Sequence, residues 1–318
     1  MPENTLAPNL AHKKKTSRQQ RRFFWIGLAF ASPWIIGFLL FKVYPICSAI
    51  YFSFTKYNMF KPPEWIGLDN HKELFTDPYV KKSFANTTYM VIVGLPISLS
   101  FAMVMAMIMN LRAKGMPLFR TILYLPSVVP SMASALLFLW VMNSRYGIVN
   151  NMISFIGLKG PSWLNDPDWT KPTLIIMGCW GCGGTAVIFL AALKSVPTHL
   201  YEAARLDGAG KWRQFWTITI PMISPTIQFQ FIMGINSMFQ YFTQAFVFNM
   251  FTGSAGQVTG GGPANSMLFY SINLYREAFD YLNMGYASAL AMVLFMIILV
   301  VTFVALRISD KMVNYDVE

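Results

Sequence analysis

The chain reads as an all-α integral membrane protein with about six transmembrane helices, and three observations carry that reading. Apolar residues make up 55% of its 318 positions and charged residues only 12%, more apolar surface than a water-soluble core buries. Apolar runs of roughly the 20 residues a helix needs to cross the hydrocarbon core recur along the chain. The charges fall between those runs, which excludes a water-soluble enzyme.

Residues 1–22 form a basic head with Lys13, Lys14, Lys15, Arg18, Arg21 and Arg22 against the single acid Glu3. The apolar run behind it is too long for a cleaved leader and lacks a small-residue cleavage site, so the head is expected to remain and to hold the N-terminus in the cytoplasm. The chain therefore divides into a tail, 1–22, and a membrane domain, 23–318. Spans are expected near 23–43 (with an apolar extension to Phe54), 86–111, 118–143, 172–194, 219–250 and 284–306.

Six spans place both termini in the cytoplasm, and the loops support this. Inner segments hold fifteen Lys and Arg against six acids, whereas outer segments hold nine against eight. That asymmetry follows the positive-inside rule and accounts for the net charge of +11 through the lipid bilayer, without a nucleic acid partner. The outer loops carry turn signals at Lys61-Pro62-Pro63-Glu64, Asp77-Pro78 and Asn165-Asp166-Pro167. Their aromatic residues Trp65, Tyr79, Trp163 and Trp169 suit the lipid–water boundary or an external partner.

Little in the chain has the pattern of catalysis. Cys47, Cys179 and Cys182 lie in apolar runs and offer neither a disulfide framework nor a metal set. Cys179-Trp180-Gly181-Cys182 matches C-x-x-C without a soluble βαβ context, and reads as small helix-packing residues. Gly260-Gly261-Gly262-Pro263, after Thr252-Gly253-Ser254-Ala255-Gly256, reads as a flexible re-entry between the last two spans. It lacks the Lys and Ser/Thr of a phosphate-binding loop, and no such loop occurs elsewhere. No catalytic residue, metal ligand or cofactor is therefore expected here.

Two polar features remain. Between Gln214 and Tyr275 there is no charge, yet Asn236, Gln240 and Gln244 stand at i, i+4 and i+8, expected on one face of the fifth helix. Amides cannot face hydrocarbon, so the stripe serves either as interhelical glue or as a hydroxyl-binding surface. The second feature is the polar island 198–221. Thr198 is a candidate N-cap for a short helix through Leu200, Ala203, Ala204 and Leu206, stopped by Gly208 in a left-handed C′ position. Glu202 and Arg205 are spaced to pair on its solvated face, an interaction worth a few tenths of a kcal/mol.

Glu202-Ala203-Ala204, then Gly208, Ile218 and Pro221, resemble the EAA loop of binding-protein-dependent ABC importers, with Ile220 where the pattern usually has Leu. Asp207-Gly208-Ala209 followed by Trp212 and Phe215 is similar to carbohydrate importers of the maltose and glycerol-3-phosphate type. Further landmarks follow in the family's order, among them Tyr44-Pro45, Asn86-Thr87, Leu125-Pro126, Thr259 to Asn265 and Gly285-Tyr286. Unlike the maltose-system subunit, this chain has only short outer loops.

The resemblance implies a type I ABC importer permease in a bacterial cytoplasmic (inner) membrane. It implies a cytoplasmic coupling helix with Glu202, Ala203, Ala204, Arg205, Asp207 and Gly208 against an ATPase subunit. Its partners would be a second, similar permease, two ABC ATPases holding ATP and Mg, and an extracytoplasmic solute-binding protein. Substrate contacts carried over from the maltose-type subunit fall on Trp180, Gly181, Cys182 and Thr185 before the loop, and Asn236, Ser237 and Gln240 after it, where Gln244 continues the stripe. The cargo would be a sugar or oligosaccharide, an acidic one such as alginate being the finer expectation. A secondary sugar transporter driven by an ion gradient is the competing class; it would need intramembrane carboxylates, and every Asp and Glu here lies in a loop or tail.

Overall fold

Three prolines set the character of the helices. Pro45, Pro96 and Pro221 each stand two residues after a π-turn, over Leu39–Val43, Met90–Gly94 and Phe215–Thr219. A proline has no N–H to bond back, and its ring collides with the carbonyl four residues before it. One extra residue in the preceding turn shifts that carbonyl aside, so each helix continues through a local bulge.

The computed structural model describes residues 18–252 and 260–309. The basic head before Arg18, the stretch 253–259 and the tail from 310 lie outside the described residues. By packing the chain divides into two units, Met1–Tyr51 and Phe52–Glu318. In the first, a helix over Arg18–Phe38 runs through the π-turn into Tyr44–Ser53, with Trp34 stacked on Phe38 at 5.4 Å. Phe30, Trp34 and Phe41 are exposed, as befits a span that meets lipid or another subunit.

Counting the first span, Arg21–Ser53, there are six spans when each bent pair is taken as one. The second is Pro78–Met109 and the sixth Met284–Ile308. The third joins Met116–Val128 to Ser131–Val141 across a 100° bend, the fourth joins Pro167–Trp180 to Gly183–Ser195 across 51°, and the fifth joins Lys211–Met222 to Ser224–Phe251 across 68°. All six lie where the apolar runs place them. The bends do not follow from apolarity: the third breaks where Pro130 takes an extended conformation, and the fourth at Gly181 and Cys182.

Within the second unit, three apolar clusters fill the space between spans. One gathers Phe138, Trp163, Leu174, Phe248 and Phe269. Another holds Met103, Met109, Phe189, Leu190 and Ile223, and the third Leu95, Ile235, Tyr270, Tyr286 and Leu290. A two-stranded antiparallel ladder, with Thr55 opposite Trp65 and Lys56 opposite Glu64, sits against the start of the sixth span. Gly285 is required there, because a Cβ would collide with the Thr55 carbonyl.

Most of the glycine-rich stretch expected to be a flexible re-entry, 253–259, lies outside the described residues, and the part from Gly260 onward is held by hydrogen bonds. Gly261 and Gly262 have φ of +67° and +68°, and Ala264 and Asn265 also adopt positive φ. Asn86 Nδ2 donates to the carbonyls of Asn265 and Leu268 at 2.8 and 2.9 Å, and Thr87 Oγ1 accepts from Tyr270 N–H at 2.9 Å. Left unpaired in the interior, each of these groups would cost about 1–3 kcal/mol. The buried side chains of the second span thus hold the described segment from Asn265 to Tyr270.

Candidate functional site

The helix in the polar island spans Thr198–Leu206. Its N-cap is Pro197 and no side chain caps it, so Thr198 is the first helical residue and not the cap. Pro197 sets the entry through its own fixed φ of −63° with an extended ψ of 131°. The other end is as the sequence predicts: Gly208 has φ +78°, its N–H reaches the Arg205 carbonyl at 3.1 Å, and Ala209 N–H reaches that of Ala204 at 2.8 Å.

One side chain fastens this helix, and another the turn after it, to the fifth span. Tyr201 Oη and Thr219 Oγ1 share a hydrogen bond of 2.9 Å, and the buried Gln214 donates its Nε2 to the Ala209 carbonyl at 2.7 Å. These bonds tie the segment Thr198–Ala209 to the π-turn at the root of the fifth span. The outer face presents Glu202, Ala203, Arg205, Asp207 and Gly208, with Ala204 half-buried. Glu202 and Arg205 do not pair; among the described residues the ion pairs are Lys72–Asp69 and Arg276–Glu277. Leu206, 91% exposed, belongs to the same face although sequence reasoning did not assign it there. A leucine beside Arg205 and Asp207 at the end of the helix was the available signal.

A second site lies where the third and fourth spans break. Gly183 is buried so closely against the third span that a Cβ would stand 2.5 Å from the Leu123 carbonyl. That approach brings the bend at Gly181 and Cys182 beside the break at Pro130. Between them opens a cleft of about 240 Å³ walled by Ser131, Ser134, Trp180, Gly181, Tyr241 and Gln244. No charged residue lines it. Trp180 meets Phe138 edge-on at 5.5 Å and leaves 37% of its surface exposed.

Of the eight residues expected to contact substrate, Trp180, Gly181 and Gln244 share this cleft. Cys182, Thr185, Asn236, Ser237 and Gln240 are not on its wall. The amide stripe is interrupted: Ser224–Phe239 is one helix, Gln240 ends it with φ −100° and ψ 19°, and Thr243–Thr252 is the next. Asn236 donates back to the Ile232 carbonyl at 2.9 Å on its own helix. Ser131, Ser134 and Tyr241 were missed because they approach the cleft only through the bends.

Of the aromatic residues expected at a boundary, Trp65, Tyr79 and Trp169 are exposed and Trp163 is not. Trp163 is buried and donates its Nε1 to Asn150 Oδ1 at 2.7 Å. Tyr79 lies under the buried Arg276 guanidinium at 4.5 Å. Arg276 also donates to Asn273 Oδ1 at 2.7 Å and stands 4.0 Å from Glu277. Burial pushes the Glu277 carboxyl above the usual carboxylate range, opposed by the Asn283 amide at 3.2 Å and by Arg276.

Comparison with known proteins matches residues 94–314 to the family described as "Binding-protein-dependent transport system inner membrane component". The chain belongs to this family. The permease is 39% identical, over 97% of its length and 98% of the relative's, to the probable ABC transporter permease protein YesP of Bacillus subtilis (strain 168). It is 30% identical, over 97% of its length and 98% of the relative's, to the sulfoquinovosyl glycerol transport system permease protein SmoG of Agrobacterium fabrum (strain C58 / ATCC 33970). Among solved structures, a bacterial ABC transporter involved in the import of the acidic polysaccharide alginate superposes with a TM-score of 0.79 at 25% identity, covering 93% of this permease and 99% of that chain. The permease thus has the type I ABC importer fold, and the expected family and architecture hold.

Proposed function

We propose that this permease is one half of the membrane pathway of an ATP-driven carbohydrate importer. The observation that carries the reading is the welded helix Thr198–Leu206, whose outer face offers an unpaired Glu202 and an exposed Leu206 while Tyr201 and Gln214 tie it to the fifth span. Such a part has a use where another protein pushes on it. That protein is an ABC ATPase, one of two, which hold the ATP and Mg. A second, similar permease completes the pathway, and a solute-binding protein delivers cargo on the outer side. The positive-inside count supports a cytoplasmic position for both termini and for the helix Thr198–Leu206.

In this mechanism ATP-driven closure of the ATPases moves the helix as a rigid body, and the break points of the third, fourth and fifth spans absorb the change between outward-open and inward-open states. The cleft at Trp180 supplies an aromatic face, hydroxyls and an amide, a set that suits sugar C–H faces and hydroxyls. The cargo is an oligosaccharide, and the sulfo-sugar and alginate systems among the similar proteins favour an acidic one such as alginate. Because no cation lines this chain's cleft, recognition of the acidic group falls to the binding protein or the second permease.

The test is uptake into proteoliposomes holding the assembled transporter, with its binding protein and a panel of neutral and uronic oligosaccharides. ATP-dependent uptake of one class is expected. Uptake driven by a proton or sodium gradient without ATP would sink the proposal in favour of a secondary transporter.

A further inference from the structure

A second cavity, of about 480 Å³, lies at the end of the spans that carries the helix Thr198–Leu206. Four cations from separate segments line it: Arg112 after the second span, Lys194 at the end of the fourth, Arg205 on the helix itself and Lys211 at the start of the fifth. No carboxylate is on its wall, and among the described residues none of these cations is in an ion pair. Four positive heads around one hollow repel one another, and an anion between them removes that repulsion.

The rest of the wall is mixed: Met107, Leu193, Val196 and Phe215 form an apolar side where the spans end, and Asn110, Thr198, Tyr201, Gln214 and Thr219 add hydroxyls and amides. Beside it, Trp212 is stacked on Phe215 at 6.0 Å and Trp216 meets Trp212 edge-on at 5.8 Å. Both tryptophans are more than half exposed. Aromatic side chains of this kind settle at the headgroup level of a bilayer, so the cavity opens where lipid phosphates lie. Basic pockets between span ends on that side suit acidic lipid headgroups.

We propose that this cavity binds the phosphate of an anionic phospholipid, with the cations holding the headgroup and the apolar wall meeting the upper acyl chain. An inorganic phosphate shares the charge chemistry but has nothing to place against the apolar wall. The site shares Arg205 with the coupling face, so lipid occupancy and coupling are linked through one helix. The proposal rests on the chain spanning a membrane and is independent of what it carries.

The test uses the full-length chain in nanodiscs of mixed phosphatidylglycerol and phosphatidylcholine, extracted into detergent, with retained lipids counted by native mass spectrometry. Wild type retains phosphatidylglycerol in preference. The double variant Lys194→Gln/Lys211→Gln loses it by roughly twentyfold, about fivefold per cation, and Arg112→Gln alone by about fivefold. Lys194→Arg/Lys211→Arg keeps it, as does Lys81→Gln/Lys82→Gln, which removes the same charge on the opposite side. Equal retention by wild type and the glutamine variants overturns the proposal, as does equal loss in the Lys81/Lys82 control. Displacement of the lipid by millimolar inorganic phosphate overturns it in favour of a soluble phosphate site. Lipid counting does not depend on transport, so a negative result here leaves the importer reading untouched.

Discussion

The loop around the helix Thr198–Leu206 and the cleft sit on the same spans and are built in opposite ways. The loop is a continuous short helix with a glycine stop and two side-chain ties, all within residues 197–219. The cleft is assembled from breaks, at Pro130, at Gly181 and Cys182, and at Gln240 to Phe242, which lie far apart in the chain. A part that transmits force gains from rigidity, because displacement is then not lost in bending. A part that must change shape gains from helix breaks, where a few φ/ψ angles absorb large rotations.

That contrast can be broken by substitution. Glu202→Lys reverses the charge on the docking face without touching the cleft, and such reversals at interfaces cost several kcal/mol. Uptake should fall on the order of a hundredfold with membrane insertion unchanged; normal uptake would remove the coupling role. Gly183→Ala acts from the other side, since its Cβ must displace the Leu123 backbone. A loss of about 1–3 kcal/mol in thermal stability, together with impaired uptake, is expected from overpacking of this kind.

Trp180→Ala should raise the concentration for half-maximal uptake about tenfold at an unchanged maximal rate, whereas Asn236→Ala should change neither by more than about twofold. A large effect of Asn236→Ala with none from Trp180→Ala would mean that the interrupted stripe and not the cleft touches substrate. Tyr201→Phe removes one hydrogen bond, worth about 1 kcal/mol. Uptake per ATP hydrolysed should fall by roughly fivefold while hydrolysis persists, which separates slack coupling from a dead complex.

The smallest effect is on pH dependence. The folded-state pKa of Glu277 is raised by burial, so the folded state holds its proton to higher pH than the unfolded state does. The stability it confers is full below the ordinary carboxylate value and is lost as pH rises through the raised one. Thermal stability of the wild type should therefore climb as pH is lowered from neutral toward that range, and Glu277→Gln should flatten the climb.

The positions of the six spans, the left-handed stop at Gly208 and the face of Glu202 and Ala203 were legible in the residues, because each depends on composition or on neighbours within one helical turn. The missing cap at Thr198 was not, since Pro197 settles the entry by its own ring. Likewise the spacing of Asn236, Gln240 and Gln244 promised a continuous face only while the helix remained unbroken.

By itself, then, the sequence determined the membrane class, the positions of the spans and the short helix between the fourth and fifth, all of which follow from hydropathy and local backbone chemistry. Only the tertiary structure decided which residues share the cleft. Ser131, Ser134, Trp180, Tyr241 and Gln244 meet because Gly183 admits the Leu123 backbone and because the helices break at Pro130, at Gly181 and Cys182, and after Phe239, and no periodicity within one helix encodes the distance between two. The same reason places Arg112, Lys194, Arg205 and Lys211 around a single cavity, although in sequence they are merely the positive ends of different loops.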